Sequence, residues 1–265
     1  MSSEQTGQVP SLEEVIKITD PGEINREEHG PIDRLVIFIG NIFAWLFPIL
    51  MVAIVFQVIV RKMGHNQAWL DDAQWWMYGS AMLAGLAYAV TTNSHVRVDI
   101  FHAKFSREKQ ARIELFGLGW LFLPFLILMT DVLTHYAWSS IVSREGSDSP
   151  TGLHRLYLLK SLLPILFLLT ILATLSAMKR YLARLGHSSL AAMIIAGLPS
   201  FLFAAQLLAH YALWWYVRLT QPDIKPSRIN REPIMDNALW LAVGIIAILI
   251  ALSLLANRLR SKKGS

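Results

Sequence analysis

The sequence predicts an all-α, polytopic membrane protein of about six transmembrane helices with both termini in the cytoplasm. Three observations carry that expectation. Of 265 residues, 54% are hydrophobic and only 16% charged, and the mean hydropathy is +0.43; a soluble domain carries about 25% charged residues. The apolar residues collect in runs of roughly 16 to 25, long enough to cross a hydrocarbon core as helices, unlike the alternating segments of about ten residues in a β-barrel. Lys and Arg fall unevenly between alternate loops, 15 on one side of the membrane and 8 on the other, and the richer side is the cytoplasm.

Residues 1–31 read as a mobile acidic tail, punctuated by Pro10, Pro21-Gly22 and Gly30-Pro31. Residues 1–30 carry a net charge of −5 and the rest of the chain +10. The tail lacks the basic-then-apolar pattern of a signal peptide, so the first span is expected to stay as an anchor. That span runs about Leu35–Val60, with Gly40 and Ala44 one turn apart as a close-packing pair and Pro48 placed to kink it.

The second span, about Asp72–Thr92, begins with Asp71 and Asp72, where the helix dipole favours anions. Trp69, Trp75 and Trp76 suit an interfacial belt. Ala81, Gly85 and Ala89 recur every four residues and give a flat face for close helix contact. Residues 93–112 form a basic loop in which Ile100, Phe101 and Phe105 suit an amphipathic surface segment, and Ser106 suits a helix cap.

A third span, about Ile113–Ser140, reaches on the order of 50 Å if its helix starts at Arg107, which places Asp131 toward the outer interface. A polar loop, 141–154, leads to a fourth span, about Arg155–Met178, with Lys160 near its start and Pro164 inside. Spans five (about Leu190–Tyr216, containing Gly197-Leu-Pro199) and six (about Asn237–Leu255) precede a basic tail, 258–265. The expected organisation is therefore a four-helix core over 32–180 and two additional helices over 181–257.

Several chemistries find no support. A pI near 9.5 reflects basic loops beside apolar spans, not a nucleic-acid surface. The chain has no cysteine, so thiolate metal sites and a Cys nucleophile are excluded. No hydrolase triad, zinc-protease motif or phosphate loop is present, and an enzyme is not expected. An autonomous transporter or channel is disfavoured, because mid-span residues are almost wholly apolar and no inverted repeat is visible. A haem-bearing electron-transfer subunit stands as an alternative, since His135 and His210 both lie toward the outer ends of spans. By itself, His95-Val-Arg-Val-Asp99 is as readily a plain loop as a partner contact.

Taken in order, these features resemble the small membrane subunit of tripartite ATP-independent periplasmic (TRAP) transporters, the DctQ-like family. The carriers are Asp71-Asp72, the small-residue helix through Gly85, His95-Val-Arg-Val-Asp99, the basic approach to span three, Glu145, Gly152-Leu153, and Lys160 with Pro164. The resemblance covers roughly residues 35–180 and leans toward the branch handling 2-oxo acids or mannitol- and chloroaromatic-type substrates. It implies a non-catalytic scaffold without a cofactor in the bacterial inner membrane. It also implies two protein partners besides lipid: a large elevator-type subunit holding the Na⁺ and substrate sites, and a periplasmic binding protein delivering an organic anion, often a carboxylate. Asp71, Asp72 and Glu145 are then expected to order the outer loops or receive the binding protein, and Ala81, Gly85 and Ala89 to pack. His95, Arg97 and Asp99 would anchor the cytoplasmic side, and Lys160 would reach the outer interface. The family core has four helices, so spans five and six depart from it.

Overall fold

The computed structural model describes residues 26–94, 104–187 and 189–263. The expected mobile tail therefore lies almost wholly outside the described residues, as do His95, Arg97 and Asp99. Among the described residues the chain is helical, with no strand.

Helices α1 (Pro31–Ala44) and α2 (Leu46–Lys62) form one 32-residue span interrupted at Trp45. The interruption lies where Pro48 dictates: proline offers no N–H to the Ala44 carbonyl, and its ring crowds that group. Helix α3 (Ala68–Thr92) ends on Asn93 in the left-handed conformation, φ 54°, which asparagine tolerates well. Helix α4 (Arg107–Phe116) starts on the Ser106 cap, whose hydroxyl accepts the Lys109 N–H. It runs through a π-helical turn, Gly117–Phe122, into α5 (Leu123–Ser143). This is the long continuous helix the sequence predicts from Arg107, with an added π-turn. Helix α6 (Leu156–Arg184) carries Pro164 without a break.

Span five is not a single helix. It divides into α7 (Leu190–Ala196) and α8 (Leu198–Thr220), bent by 96°. Gly197 and Pro199 explain the elbow: proline cannot donate the next ladder bond, and seven residues of α7 rise only about 10 Å. A short turn, α9 (Pro226–Ile229), precedes α10 (Ala238–Lys263).

Four segments are long and apolar enough to cross a membrane, five if the bent pair is one broken span and not a re-entrant loop. Helix α3 has the length but is not among them, because Asp71, Asp72, Gln74 and four aromatic residues occupy its first half. Six spans is thus a finer statement than the helices alone establish.

Helix α6 is the hub, packing on α1, α3, α4, α5 and α7. The seams are built from small residues: Ala84 and Ala87 of α3 meet Ala173 and Ala177 of α6, all fully buried. Small side chains let backbones approach where lipid supplies no hydrophobic drive between helices. Gly40 of α1 does the same, since a Cβ there would come 2.8 Å from the Tyr88 ring. Helices α7, α8 and α10 have their own core around Ile194, Ala205, Ala242 and Ile246.

Candidate functional site

Polar side chains gather at the two ends of the bundle. At one end, Gln57 of α2 donates to the Asp71 carboxylate and accepts from Gln74 Nε2 at 2.5 Å. Arg61 Nη2 lies 3.4 Å from both Asp71 oxygens. These bonds tie the end of α2 to the start of α3. Asp72 points the other way and accepts the Leu153 N–H at 2.9 Å, pinning the loop between α5 and α6. That loop folds on itself through the bonds from Ser147 N–H to Leu153 O and from Gly152 N–H to Ser149 O. A Cβ at Gly152 would overlap the Ser147 side chain and come 2.7 Å from Asp72 Oδ2, so only glycine fits there.

Lys160 completes this end. Its Nζ donates to Glu145 at 2.5 and 2.6 Å and lies 4.2 Å from the Tyr136 ring centroid. The Lys160 bond, helped by Ser140, holds the Glu145 carboxyl below the usual carboxylate range. The structure thus brings Asp72, Glu145, Gly152 and Lys160, which the sequence singles out separately, into one latched cap, with Asp71 beside it. Gln57 has no sequence signal, since a lone glutamine in an apolar run identifies no partner.

The opposite end is closed by residues the sequence reading missed. Asp33 forms an ion pair with Arg180, with the two side chains 1% and 12% exposed. Its other oxygen accepts the Gly30 N–H at 2.9 Å. Arg180 Nη2 also donates to the Thr91 carbonyl at 2.7 Å, and Tyr181 Oη donates to Asn93 Oδ1 at 3.0 Å. Arg184 pairs with Glu28 at 2.5 Å. Burial, with Arg180 close by, lowers the pKa of His29. In the sequence Arg180 looks like an ordinary flanking charge.

The small-residue face expected on α3 is only partly turned into the chain. Ala81 is buried, but Gly85 is exposed, with nothing within 4 Å of a built Cβ, and Ala89 is only half-buried. The stripe that packs within the chain is Ser80, Ala84, Ala87 and Thr91. Four-residue spacing in the sequence does not say which of several small-residue stripes turns inward. Trp75, Tyr78, Met82 and Gly85 form the opposite stripe, open along the helix.

His135 and His210 both pack on the Tyr211 ring, with centroids 5.9 Å away, but line different cavities. His135 lines a cavity between α5, α6 and α8, whereas His210 lines another between α8 and the start of α10. His135 Nδ1 already engages the Asp131 carbonyl at 3.0 Å. The described residues include no group of three or more potential His, Cys, Asp or Glu metal ligands.

A family model described as the DctQ component of tripartite ATP-independent periplasmic transporters matches residues 50–184, just over half of the chain. The chain belongs to the DctQ family. The matched region runs from α2 to the last residue of α6 and so includes the whole Asp71–Lys160 cap. The α7–α10 unit lies outside it. No curated protein and no solved structure matches the chain.

Two features join that unit to the DctQ region. Ser200 donates to the Gly119 carbonyl, and Trp120 Nε1 donates to the Ala196 carbonyl at 3.0 Å. A Cβ on Gly119 would lie 2.9 Å from that same carbonyl. The π-turn presents Gly119, which has no side chain, to the α7–α8 elbow.

Proposed function

We propose that this chain is the static scaffold subunit of a TRAP transporter, holding a large elevator-type subunit during Na⁺-coupled uptake of an organic anion such as a 2-oxo acid. In this reading α1–α2, α3, α4–α5, α6, α7–α8 and α10 are six membrane passages, with both termini in the cytoplasm. The Asp71–Lys160 cap faces the periplasm and receives the substrate-binding protein. The Asp33–Arg180 end faces the cytoplasm.

The observation that carries the reading is the open stripe Trp75, Tyr78, Met82 and Gly85. It lies on a helix whose other faces are packed against α1, α2 and α6. A glycine exposed amid large apolar residues is a place for a second helix to come close, and the large subunit is the occupant proposed. The role is mechanical. Ion pairs and loop bonds at both ends hold the helices in register, and the chain's interior supplies small-residue packing without mid-depth polar chemistry.

The test is copurification. A tagged chain expressed with its large subunit retains it, and Gly85→Leu releases it while the isolated chain stays folded. Loss of folding in Gly85→Leu, or unchanged retention, contradicts the docking face.

A further inference from the structure

Asp131 is unusual among the groups described so far. It is a carboxylate inside a spanning helix, only a quarter exposed. The Tyr211 hydroxyl donates to it, and the His135 ring lies 3.8 Å away. Lys and Arg balance the other acids that form described ion pairs, except for this one. A charge at such a site needs a partner.

Two cavities meet at Asp131, sharing Leu207 and Tyr211 as well. The first, about 600 Å³, is walled by Leu123, Ile127, Leu168, Leu175, Phe201 and Ala204. From Asp131 its wall on α5 runs back to Leu123, a rise of about 12 Å, most of one leaflet of a hydrocarbon core of about 30 Å. At its rim Trp138 and Leu208 are 67% and 70% exposed, so it opens sideways from the bundle. The second cavity, about 460 Å³, is polar and presents Asp131, Asp236, Gln206 and His210. Neither Lys nor Arg lines either cavity.

We infer that this pair of cavities holds one membrane phospholipid with an ammonium headgroup, its acyl chain along α5 and α8 and its ammonium facing Asp131 and Asp236. An apolar slot running most of a leaflet's depth and opening sideways from a spanning helix takes a lipid chain. Two carboxylates with no Lys or Arg in the lining favour a cationic head and disfavour an anionic one. Both cavities exist because α8 and α10 are added beside α5. The lipid therefore fills the joint between the DctQ region and the additional helices. The inference rests on the membrane placement of these helices and not on the transport reading.

The full-length chain, delipidated in detergent, is titrated with phosphatidylethanolamine or phosphatidylglycerol of identical acyl chains, and retained lipid is counted by native mass spectrometry. The expected result is one retained phosphatidylethanolamine, preferred about tenfold over phosphatidylglycerol, the effect of one charge-assisted contact. Asp236→Asn reduces the preference, and Asp131→Asn with Asp236→Asn abolishes it. Ala204→Trp, or the milder Ala204→Leu, lowers retention of both lipids, with gel filtration reporting the fold. Equal retention of the two lipids by the wild-type chain overturns the inference. So does retention unaffected by filling the slot, or a stable dimer that retains no lipid because a second copy covers the groove. Asp236→Asn tests the head chamber independently if Asp131→Asn fails to fold.

Discussion

Asp33 divides its carboxylate between two tasks, accepting the Gly30 N–H at the start of its own helix and pairing with Arg180 at the far end of α6. A single side chain thereby fixes where the first span begins relative to the hub helix. Because both partners are buried, removing one leaves the other uncompensated, at a cost of about 3–5 kcal/mol. Asp33→Asn and Arg180→Met should each lower the thermal unfolding temperature in detergent markedly. Replacing both with apolar residues should recover much of the loss. If Asp33→Asn unfolds at the wild-type temperature, the pair contributes little.

Gly40 and Gly85 should part company. A side chain at Gly40 drives into the Tyr88 ring, and overpacking of this kind costs about 1–3 kcal/mol; Gly40→Val should therefore lower stability of the isolated chain. A side chain at Gly85 meets nothing in the chain, so Gly85→Leu should leave unfolding unchanged and affect only partner retention. Differential scanning fluorimetry of the two variants separates the positions.

The Asp72–Leu153 bond should govern loop order. Asp72→Ala removes the acceptor, and bonds to charged groups contribute about 1.5–3 kcal/mol when well shielded. The variant should speed proteolysis of the 144–155 loop and weaken binding-protein docking while the large subunit stays bound. Gly152→Ala should act similarly through the Ser147 overlap. Loss of the large subunit instead would make this cap a structural joint and not a docking surface.

The Glu145–Lys160 pair gives a pH dependence of definite sign. The folded pKa of Glu145 lies below its ordinary value of 4.5. The pair's contribution is therefore fully present above pH 4.5 and is lost as pH falls through the lowered folded value. Glu145→Gln should lower stability at neutral pH by the pair's contribution, converge with the wild type in acid, and so flatten the acid limb of a stability profile. An identical acid limb in that variant removes the assignment.

The elbow latch predicts a separable module. Gly119→Leu should push the Ala196 carbonyl away and loosen α7 and α8, detectable as faster hydrogen exchange in 190–220. Exchange in α3 and α6 should be unaffected.

Much of this could be read from the residues, for physical reasons that vary by element. Long apolar runs fixed the major helices, because membrane burial leaves the backbone few options. Ser106 as a cap, Pro48 as a break and Gly40 as a close contact follow from local chemistry and were legible. The elbow at Gly197 is visible as a Gly-Leu-Pro run, but the run does not give its 96° angle or the π-turn it packs against. Asp33 and Arg180 could not be paired from sequence, since nothing near either names the other. The Ala81–Gly85–Ala89 spacing marks a close-contact stripe but not which way it faces, and the fold turns Gly85 outward. The cap residues Asp72, Gly152 and Lys160 were picked out by resemblance, and only the fold shows that they share one end.

Reconstitution tests the scaffold claim most directly. Sodium-driven uptake of an organic anion is measured in proteoliposomes with the binding protein outside, comparing this chain alone, the large subunit alone and the two together. The account predicts uptake only when both membrane subunits are present, with none from this chain alone and loss of activity in Gly85→Leu. Uptake by this chain without the large subunit would contradict it.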